Sequence, residues 1–361
     1  MTLSIEDIRA CIEEPEYAAQ LADLVYVTDQ HLNIHRKKYG RGYTYLIDNE
    51  SRLTDKAQLK RIKSLVIPPA WQQVRISAID NGHLQVVGRD AKNRKVYLYH
   101  DLWNLVRNQT KFFKMSAFAK ALPKIRKQLV NSLRVAGMTR EKCLALVIKI
   151  MDETYVRIGS SGYAKRNGTY GLSTMRMRHL TDTGSKIIFD FKGKHQIDQH
   201  VEIDDAQLVK AIQQCEEIPG WELFQYYDDD GNHQSIESHD VNDYLHTIAG
   251  DIFSAKDFRT WGATREFYTF LLQSPDLNTE KDRDANLLQA YDAAAEALGN
   301  TRSVCREYYV HPHIADVYKQ SGFVDERIKI KELKDRTYFT AIETRIQQLI
   351  DDFEIEFKPS I

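Results

Sequence analysis

The sequence is poor in cysteine and contains no long apolar segment. Its 361 residues include four cysteines, Cys11, Cys143, Cys215 and Cys305, which lack the close spacing of metal-binding pairs. This pattern is typical of a reducing compartment rather than of a disulfide-rich secreted protein. No run of about 18 apolar residues is present, and the first ten residues lack the basic and apolar regions of a signal peptide. We therefore expect a cytoplasmic protein with no membrane partner.

Net charge is also nearly absent, at -1, but this balance conceals a strong segregation of charge. Residues 31–180 contain 30 Lys and Arg against 9 Asp and Glu, whereas residues 181–361 contain 19 against 35. The first 30 residues are acidic as well, with 1 basic residue against 7 acidic ones. A basic block of this size is typical of a surface that binds a polyanion. We expect the basic block to face phosphates.

Two patterns of hydrophobicity divide the chain near residue 100. Residues 1–100 contain short alternating runs separated by turn signals such as Asn81-Gly82, which predict a β-rich module. From Asp101 onward, apolar residues recur at helical spacing. The length of the chain allows each part its own core. The sequence therefore predicts an α+β protein with a small β-rich N-terminal domain at 1–100 and a larger, mainly helical domain at 101–361.

Residues 154–180 combine an arginine in an apolar context with closely spaced glycines. The preceding apolar run predicts a helix that continues to Ile158 and is stopped by Gly159. This interpretation places Arg157 on a packed helix, and residues 175–180 are predicted to begin a strand. A single arginine in such a position usually serves in a structural ion pair, so any function for it depends on partners elsewhere.

Other basic residues lie in equally suggestive contexts. Residues 35–43 interleave basic side chains with tyrosines, which suits phosphate and base contacts, although a charged sheet edge explains the same pattern. Gly193 is predicted to form a tight turn that presents Lys194 at a hairpin tip, where a lysine is usually just solvated. Arg259 lies at an aromatic helix start with Asp257 as the predicted cap.

Together, these segments resemble the type IB DNA topoisomerases, in their poxvirus-like bacterial form, over nearly the whole chain. The matching motifs are RGY (41–43), IPPAW (67–71), NGHLQ (81–85), GRDAK (88–92), RIG (157–159), Tyr163, Asn167, Gly171-Leu172, His179, FKGK (191–194), KDFRTW (256–261), LGNT (298–301) and Tyr309. Their order and spacing are more specific than any one of them. The resemblance implies the catalytic domain shared with tyrosine recombinases, and two domains that close as a clamp around DNA.

The resemblance also implies the chemistry. One strand of duplex DNA is cut through a 3′-phosphotyrosyl intermediate, supercoils relax by strand rotation, and the strand is rejoined without ATP, metal or other cofactor. Tyr309 would be the nucleophile, and Arg157 and Arg259 would stabilise the charge on the phosphate. Lys194 would protonate the leaving 5′ oxygen. Asn300 stands where relatives carry histidine, and it can donate a hydrogen bond but cannot carry positive charge.

The same resemblance has implications for two further positions. The family pattern places the nucleophile nine residues after the position of Asn300 and directly before an apolar residue, which selects Tyr309 rather than Tyr308. Ser160 occupies a position where the poxviral enzymes carry a lysine, so one phosphate contact is expected to be missing. The implied DNA-binding residues are Arg41, Tyr43, Arg89, Lys92 and Tyr163.

The implied partner is double-stranded DNA, bound by a monomer that works in the cytoplasm in association with the nucleoid. A tyrosine recombinase is the first alternative, because it shares the arginine, lysine and tyrosine chemistry. Recombinases usually carry His-x-x-Arg at the second arginine, whereas this chain has Lys256-Asp257-Phe258-Arg259. A non-enzymatic DNA-binding clamp is the second alternative, and relaxation of supercoiled plasmid would distinguish it from an enzyme.

Overall fold

The computed structural model describes residues 5–275, 277, 279–351 and 353. The chain divides into two compact units, of which the first extends to Lys114 and the second comprises Met115–Phe353. The division falls inside a long helix, Asp101–Leu133. Within the described ranges, no helix is both long and apolar enough to cross a membrane.

The first unit is built around a six-stranded antiparallel sheet with the strand order β3-β2-β1-β4-β5-β6. Its elements before residue 100 are α1 (Ile5–Glu13), α2 (Pro15–Gln20), β1 (Ile34–Tyr39), β2 (Gly42–Ile47), β3 (Ser51–Arg52), α3 (Lys56–Ser64), β4 (Gln72–Ile76), β5 (Leu84–Arg89) and β6 (Lys95–Tyr99). The predicted β-rich N-terminal module is therefore confirmed.

The sheet is held to α3 by a small apolar core. Ile34 of β1, Ile76 of β4 and Val86 of β5 pack with Ile62 of α3, and all four are buried. Strand β1 pairs with β2 on one side and with β4 on the other. The register with β4 contains only Ile34 and His35, whereas all six residues of β1 pair with β2. The interpretation of residues 35–43 as a charged sheet edge therefore stays a prediction.

The second unit is mainly helical, which confirms the predicted fold class. Its helices are α4 (Asp101–Leu133, which begins in the first unit), α5 (Arg140–Thr154), α6 (Ser161–Asn167), α7 (Ala206–Glu216), α8 (Ser238–Ala249), α9 (Ala255–Gln273), α10 (Glu280–Leu298), α11 (Arg302–Tyr308), α12 (Pro312–Ser321), α13 (Val324–Lys331) and α14 (Ala341–Asp351). A three-stranded antiparallel sheet contains β7 (Leu180–Asp182), β8 (Ile187–Lys192) and β9 (Asp198–Ile203), and a hairpin joins β10 (Gln225–Tyr227) to β11 (His233–Ser235).

Helices α5 and α9 form the centre of this unit, because most side chains of both helices are buried. A buried ion network links them to their neighbours. Arg126 of α4 donates to Asp152 at 2.7 Å and to Glu343 at 2.8 Å, and Trp261 of α9 donates to Glu343 at 3.1 Å. Burial alone would raise the pKa of Glu343, but the hydrogen bonds from Arg126 and Thr340 outweigh it and lower the pKa to about 2.

The end of α5 differs from the sequence prediction. The helix stops at Thr154, because Tyr155 adopts a left-handed conformation with φ 57° and caps it. Arg157 therefore lies in the connection between α5 and α6 and not on a helix, so the predicted helical position is wrong. Residues 175–180 are also not a strand, since a short 3₁₀ turn at Met177–His179 precedes β7.

The start of α9 differs in a smaller way. Its N-cap is Ser254, and Asp257 is the third helical residue rather than the cap. The Asp257 carboxylate accepts from the Ser254 backbone amide at 2.7 Å and from the Ser254 hydroxyl at 3.1 Å. These bonds satisfy an amide that the first turn would otherwise leave unpaired. Asp257 still stabilises the helix start, but from inside the helix.

Candidate active site

Arg259 is held one turn inside α9 with its guanidinium almost wholly buried. It donates to the backbone carbonyl of Leu298 at 3.0 Å and to the backbone carbonyl of Tyr155. Its Nε is buried and has no hydrogen-bond partner among the described residues. Burial and the positive charge of Arg157 lower the pKa of Arg259 to about 10. The cation is thus positioned by neutral carbonyls, and its charge remains available to an anion.

Arg157 is positioned by a close approach of two backbone segments. Gly171 lies so near the 157–159 segment that an added Cβ would be 2.4 Å from the Arg157 carbonyl oxygen. The backbone amide of Leu172 donates to the same carbonyl at 2.9 Å. Gly159 has φ +91°, which L side chains rarely adopt. The glycines therefore allow the backbone carrying Arg157 to be fixed against the chain that follows α6.

Asn300 lies next to Arg157. Gly299 ends α10 with φ 58°, and the next residue, Asn300, accepts a hydrogen bond on Oδ1 from Arg157 Nη2 at 2.6 Å. Asn300 Nδ2 is buried and has no partner among the described residues. The nitrogen of an asparagine side chain carries two N–H donors. The Arg157 contact orients the amide so that its donor side is left for another acceptor.

Tyr309 lies at the end of α11, directly beside Arg259. Its backbone amide donates to the Cys305 carbonyl at 3.0 Å, and the Arg259 guanidinium carbon is 5.5 Å from its ring centroid. Burial raises the pKa of Tyr309, but the positive charges of Arg259, Arg157 and Lys256 outweigh burial and lower it. A lowered pKa increases the phenolate fraction at a given pH.

The adjacent tyrosine has a different environment. Tyr308 is 42% exposed. Its interaction with Glu307 and, to a smaller extent, burial raise its pKa. The two neighbouring phenols are therefore shifted in opposite directions, because only Tyr309 lies among the positive charges.

One cavity of about 410 Å³ brings most of these residues together. It is lined by Arg157, Ile158, Gly159, Ser160, Tyr163, Thr169, Tyr170, Lys194, Ala255, Lys256, Arg259 and Tyr309. Four of the five predicted catalytic residues thus face a shared space, and Asn300 is joined to it through Arg157. Within the described ranges, no three His, Cys, Asp or Glu side chains are grouped so that they could hold a metal ion.

Lys194 reaches the cavity from the connection between β8 and β9. The left-handed residues of this connection are His195 and Gln196, with φ 65° and 63°, so the turn does not depend on Gly193 in the way the sequence predicted. Gly193 instead provides space, because a Cβ there would lie 2.8 Å from Gln199 Cγ. Gln196 donates to the Asn167 carbonyl at 2.5 Å, which ties the hairpin tip to α6. The Lys194 side chain itself is exposed.

Lys256 belongs to one of the matching sequence motifs, but the sequence predicts no individual role for it. In the structure it lines the cavity, and its charge contributes to the lowered pKa of Tyr309. Its spacing carried a signal, because residues three apart in a helix lie on the same face. Arg259 follows Lys256 by three residues, so the two side chains are expected to lie next to each other if the segment is helical.

The predicted DNA-binding residues are divided between the two units. Tyr163 lines the cavity and is 59% exposed. In the first unit, Arg41 and Lys92 are exposed in the connections that follow β1 and β5. Arg89 donates to the Asn93 carbonyl at 2.9 Å, and the Tyr43 hydroxyl donates to the Pro69 carbonyl at 2.9 Å.

The first unit also contains a basic concavity of about 460 Å³. Its lining includes six basic side chains, His35, Arg36, Lys37, Arg75, Arg89 and Lys95. Arg89 is the one member of this set among the individually predicted DNA-binding residues, and His35, Arg36 and Lys37 belong to the segment 35–43 that the sequence suggests for phosphate contacts. The alternation of a strand adds a further signal, because it places His35 and Lys37 of β1 on one face of the sheet.

Comparison with known proteins gives consistent matches. The model of "Eukaryotic DNA topoisomerase I, catalytic core" matches residues 100–335, and that of "Bacterial DNA topoisomerase IB, N-terminal domain" matches residues 42–90. DNA topoisomerase 1B of Acanthamoeba polyphaga mimivirus is 30% identical over 303 residues, covering 81% of this chain and 90% of the relative. DNA topoisomerase 1B of vaccinia virus (strain Copenhagen) is 21% identical over 241 residues, covering 66% of this chain and 74% of the relative.

Proposed function

The chain belongs to the type IB DNA topoisomerase family, and on this basis we propose that it cuts and rejoins one strand of duplex DNA through Tyr309. A single observation carries the assignment of residues. Tyr309, Arg157, Arg259 and Lys194 all line one cavity of the second unit, which supports their acting on one phosphate. Asn300 is held against Arg157 at the same site.

Cleavage begins with attack by Tyr309. Its phenolate oxygen forms a bond to the scissile phosphorus, and the bond from phosphorus to the 5′ oxygen breaks, leaving a 3′-phosphotyrosyl link. The lowered pKa of Tyr309 supports this role, because the nearby positive charges favour the phenolate. Attack by the 5′ hydroxyl reverses the reaction. The phosphodiester energy stays in the tyrosyl bond, so we propose that neither ATP nor a metal takes part.

Arg157 and Arg259 stabilise the phosphate as charge grows on its non-bridging oxygens. Both guanidiniums are fixed before DNA binds, Arg259 by two backbone carbonyls and Arg157 by Asn300. Hydrogen-bond donors that are already in place stabilise a developing negative charge most strongly in a site from which water is excluded. Asn300 adds a neutral donor through its unpaired Nδ2. This role replaces the charged donor that relatives with histidine provide.

Lys194 supplies the proton for the leaving group. A 5′ alkoxide is a poor leaving group, so cleavage requires that its oxygen be protonated as the bond to phosphorus breaks. Lys194 lies on the cavity wall and has an exposed side chain on a hairpin tied to α6. These features suit a lysine that reaches a DNA strand across the cavity. In rejoining, the neutral amine takes the proton back.

We propose double-stranded DNA as the substrate, bound by a monomer. Residues 1–100 would act as a DNA-binding domain through Arg41, Tyr43, Arg89 and Lys92, and residues 101–361 would carry the chemistry and Tyr163. The basic concavity of the first unit supports this division, and the catalytic-core match begins at residue 100. Both domains would contact the same duplex. Four buried free thiols suit a cytoplasmic protein, and we place it with the nucleoid.

Relaxation of negatively supercoiled plasmid in EDTA without ATP tests the proposed activity. The full chain should relax the plasmid, Tyr309→Phe should be inactive, and Tyr308→Phe should retain activity. Filter binding should show that both variants still bind the plasmid. Activity that requires ATP or divalent metal would contradict the proposal, as would relaxation by Tyr309→Phe. Joining of two different duplexes in place of relaxation would identify a recombinase.

A further inference from the structure

A buried hydroxyl on α9 contacts the backbone on both sides of Val310. Residues 309–311 form the short connection between α11 and α12. Thr264, which is fully buried, donates from Oγ1 to the Tyr309 carbonyl oxygen at 3.2 Å. Thr264 Oγ1 in turn accepts from the His311 backbone amide at 3.1 Å. One side chain therefore pairs the carbonyl of the proposed nucleophile and the amide two residues later.

This pairing depends on a group that donates and accepts at the same time. The Tyr309 carbonyl lies at the C-terminal end of α11, where helical carbonyls lose their partners inside the helix. A hydroxyl has one donor and two acceptor sites, so it can pair a carbonyl and an amide together. Valine has nearly the shape of threonine but would leave both backbone groups unpaired. Serine would keep both bonds and lose only a methyl group.

We propose that Thr264 is a positioning residue for Tyr309, which sets the place of the nucleophile relative to Arg259. This inference rests on the proposed role of Tyr309. Arg259 and Thr264 lie on the same helix, five residues apart, and most residues of α9 are buried. The guanidinium that binds the phosphate and the hydroxyl that holds the tyrosine therefore share one support. Small displacements of a reacting group are costly, because attack requires alignment with the scissile bond.

Comparison of Thr264→Val with Thr264→Ser tests this role. Single-turnover cleavage of a DNA substrate should be about 10- to 100-fold slower in Thr264→Val, because a misplaced reacting group is costly. Cleavage by Thr264→Ser should stay within about 3-fold of the native rate, because serine keeps both hydrogen bonds. Noncovalent DNA affinity, measured in the Tyr309→Phe background with and without Thr264→Val, should be unchanged. Thr264→Ala gives the same comparison if the valine variant does not fold.

Thr110→Val is the matched control for removing a buried hydroxyl. Thr110 is also buried in a helix, but its hydroxyl donates to the Val106 carbonyl of the same helix at 2.8 Å. This variant should cleave at the native rate. Urea unfolding of each variant shows whether the protein remains folded.

Three results would overturn the inference. These are native cleavage by Thr264→Val, equal losses in the valine and serine variants, and a loss of cleavage fully accounted for by weaker DNA binding. Tyr309→Phe, assayed beside them, separates this inference from the proposed function. If Tyr309→Phe forms no adduct while Thr264→Val cleaves normally, only the role of Thr264 is wrong. If Tyr309→Phe still forms the adduct, the proposed nucleophile is wrong.

Discussion

Tyr309 and Tyr308 show how environment distinguishes two identical side chains. Tyr309 lies beside the guanidinium of Arg259, and its phenol is partly shielded from water. Tyr308 is exposed and interacts with Glu307, which raises its pKa. Only the first phenol has nearby cations that stabilise its ionised form. The proposed choice of nucleophile therefore has an electrostatic reason that is independent of the resemblance.

The ionisation of Tyr309 can be measured directly. We expect the phenolate absorbance of the native protein minus that of Tyr309→Phe to titrate below the ordinary tyrosine value of about 10. In Arg259→Gln the same transition should move to higher pH, because the largest stabilising charge is lost. Cleavage by this variant should be slower by about 100-fold or more, as for loss of one donor to a developing anion.

The matched control is Arg302→Gln, on α11, the helix whose C-cap is Tyr309. Arg302 is exposed and is paired with Asp292. This variant should leave both the Tyr309 titration and the cleavage rate unchanged. A Tyr309 transition at or above the ordinary value in the native protein would show that burial outweighs the cations.

At the residue scale, the sequence motifs predicted some of the side chains that form the candidate site and missed others. Arg157, Arg259, Lys194 and Tyr309 were predicted and do line one cavity, although their roles stay predictions. Thr264 was missed because it contacts Tyr309 across 45 residues, and a buried threonine in a helix has no distinguishing local pattern. Such contacts depend on packing that a single sequence does not report.

At the scale of elements, α9 supports much of the candidate site. It carries Lys256, Arg259 and Thr264, and it packs against Tyr155 at the end of α5 through Gly262. The Tyr155 carbonyl accepts from Arg259, and its hydroxyl donates to Glu266 at 2.8 Å. The fit between the two helices therefore fixes the acceptor that holds the buried arginine.

Gly262→Ala should disturb this fit. An added Cβ would lie 2.1 Å from Tyr155 Cε1, and the tyrosine side chain is buried. We expect the free energy of unfolding to fall by about 1–3 kcal/mol, the usual cost of overpacking. Single-turnover cleavage should fall more than DNA affinity, because Arg259 loses its fixed acceptor. Urea unfolding and cleavage assays check the two effects.

Gly42→Ala controls for the loss of a glycine, because a Cβ at Gly42 meets nothing within 4 Å. Its free energy of unfolding should change by less than about 1 kcal/mol. An unfolding curve of Gly262→Ala that matches the native protein would contradict the close packing of α5 and α9.

The end of α5 shows why element boundaries were harder to predict than elements. Apolar periodicity predicted the helix correctly, but the glycine signal placed its end after Ile158. The actual stop is Tyr155 in a left-handed conformation, which is unusual for a bulky residue. Its burial against α9 stabilises that conformation. The boundary is thus set by tertiary packing, which local sequence does not encode.

At the scale of the whole molecule, composition predicted more than individual contacts did. The segregation of charge predicted a polyanion partner, in agreement with a family that acts on DNA. The β-rich first unit and the mainly helical second unit were also predicted correctly. The buried network of Arg126, Asp152 and Glu343 was not, because its members lie 26 and 217 residues from Arg126. Separations of that size leave no periodic signal.

Identification of the residue joined to DNA tests the central claim most directly. The full chain would be trapped on a DNA substrate whose cut 5′ end diffuses away, and the adduct would be digested with trypsin. The expected peptide, residues 307–319, contains Tyr308, Tyr309 and Tyr318, so fragmentation by mass spectrometry must locate the nucleotide. The proposed mechanism predicts a 3′-phosphate link to Tyr309 alone. A link to Tyr308, to any other residue or through a 5′ phosphate would contradict it.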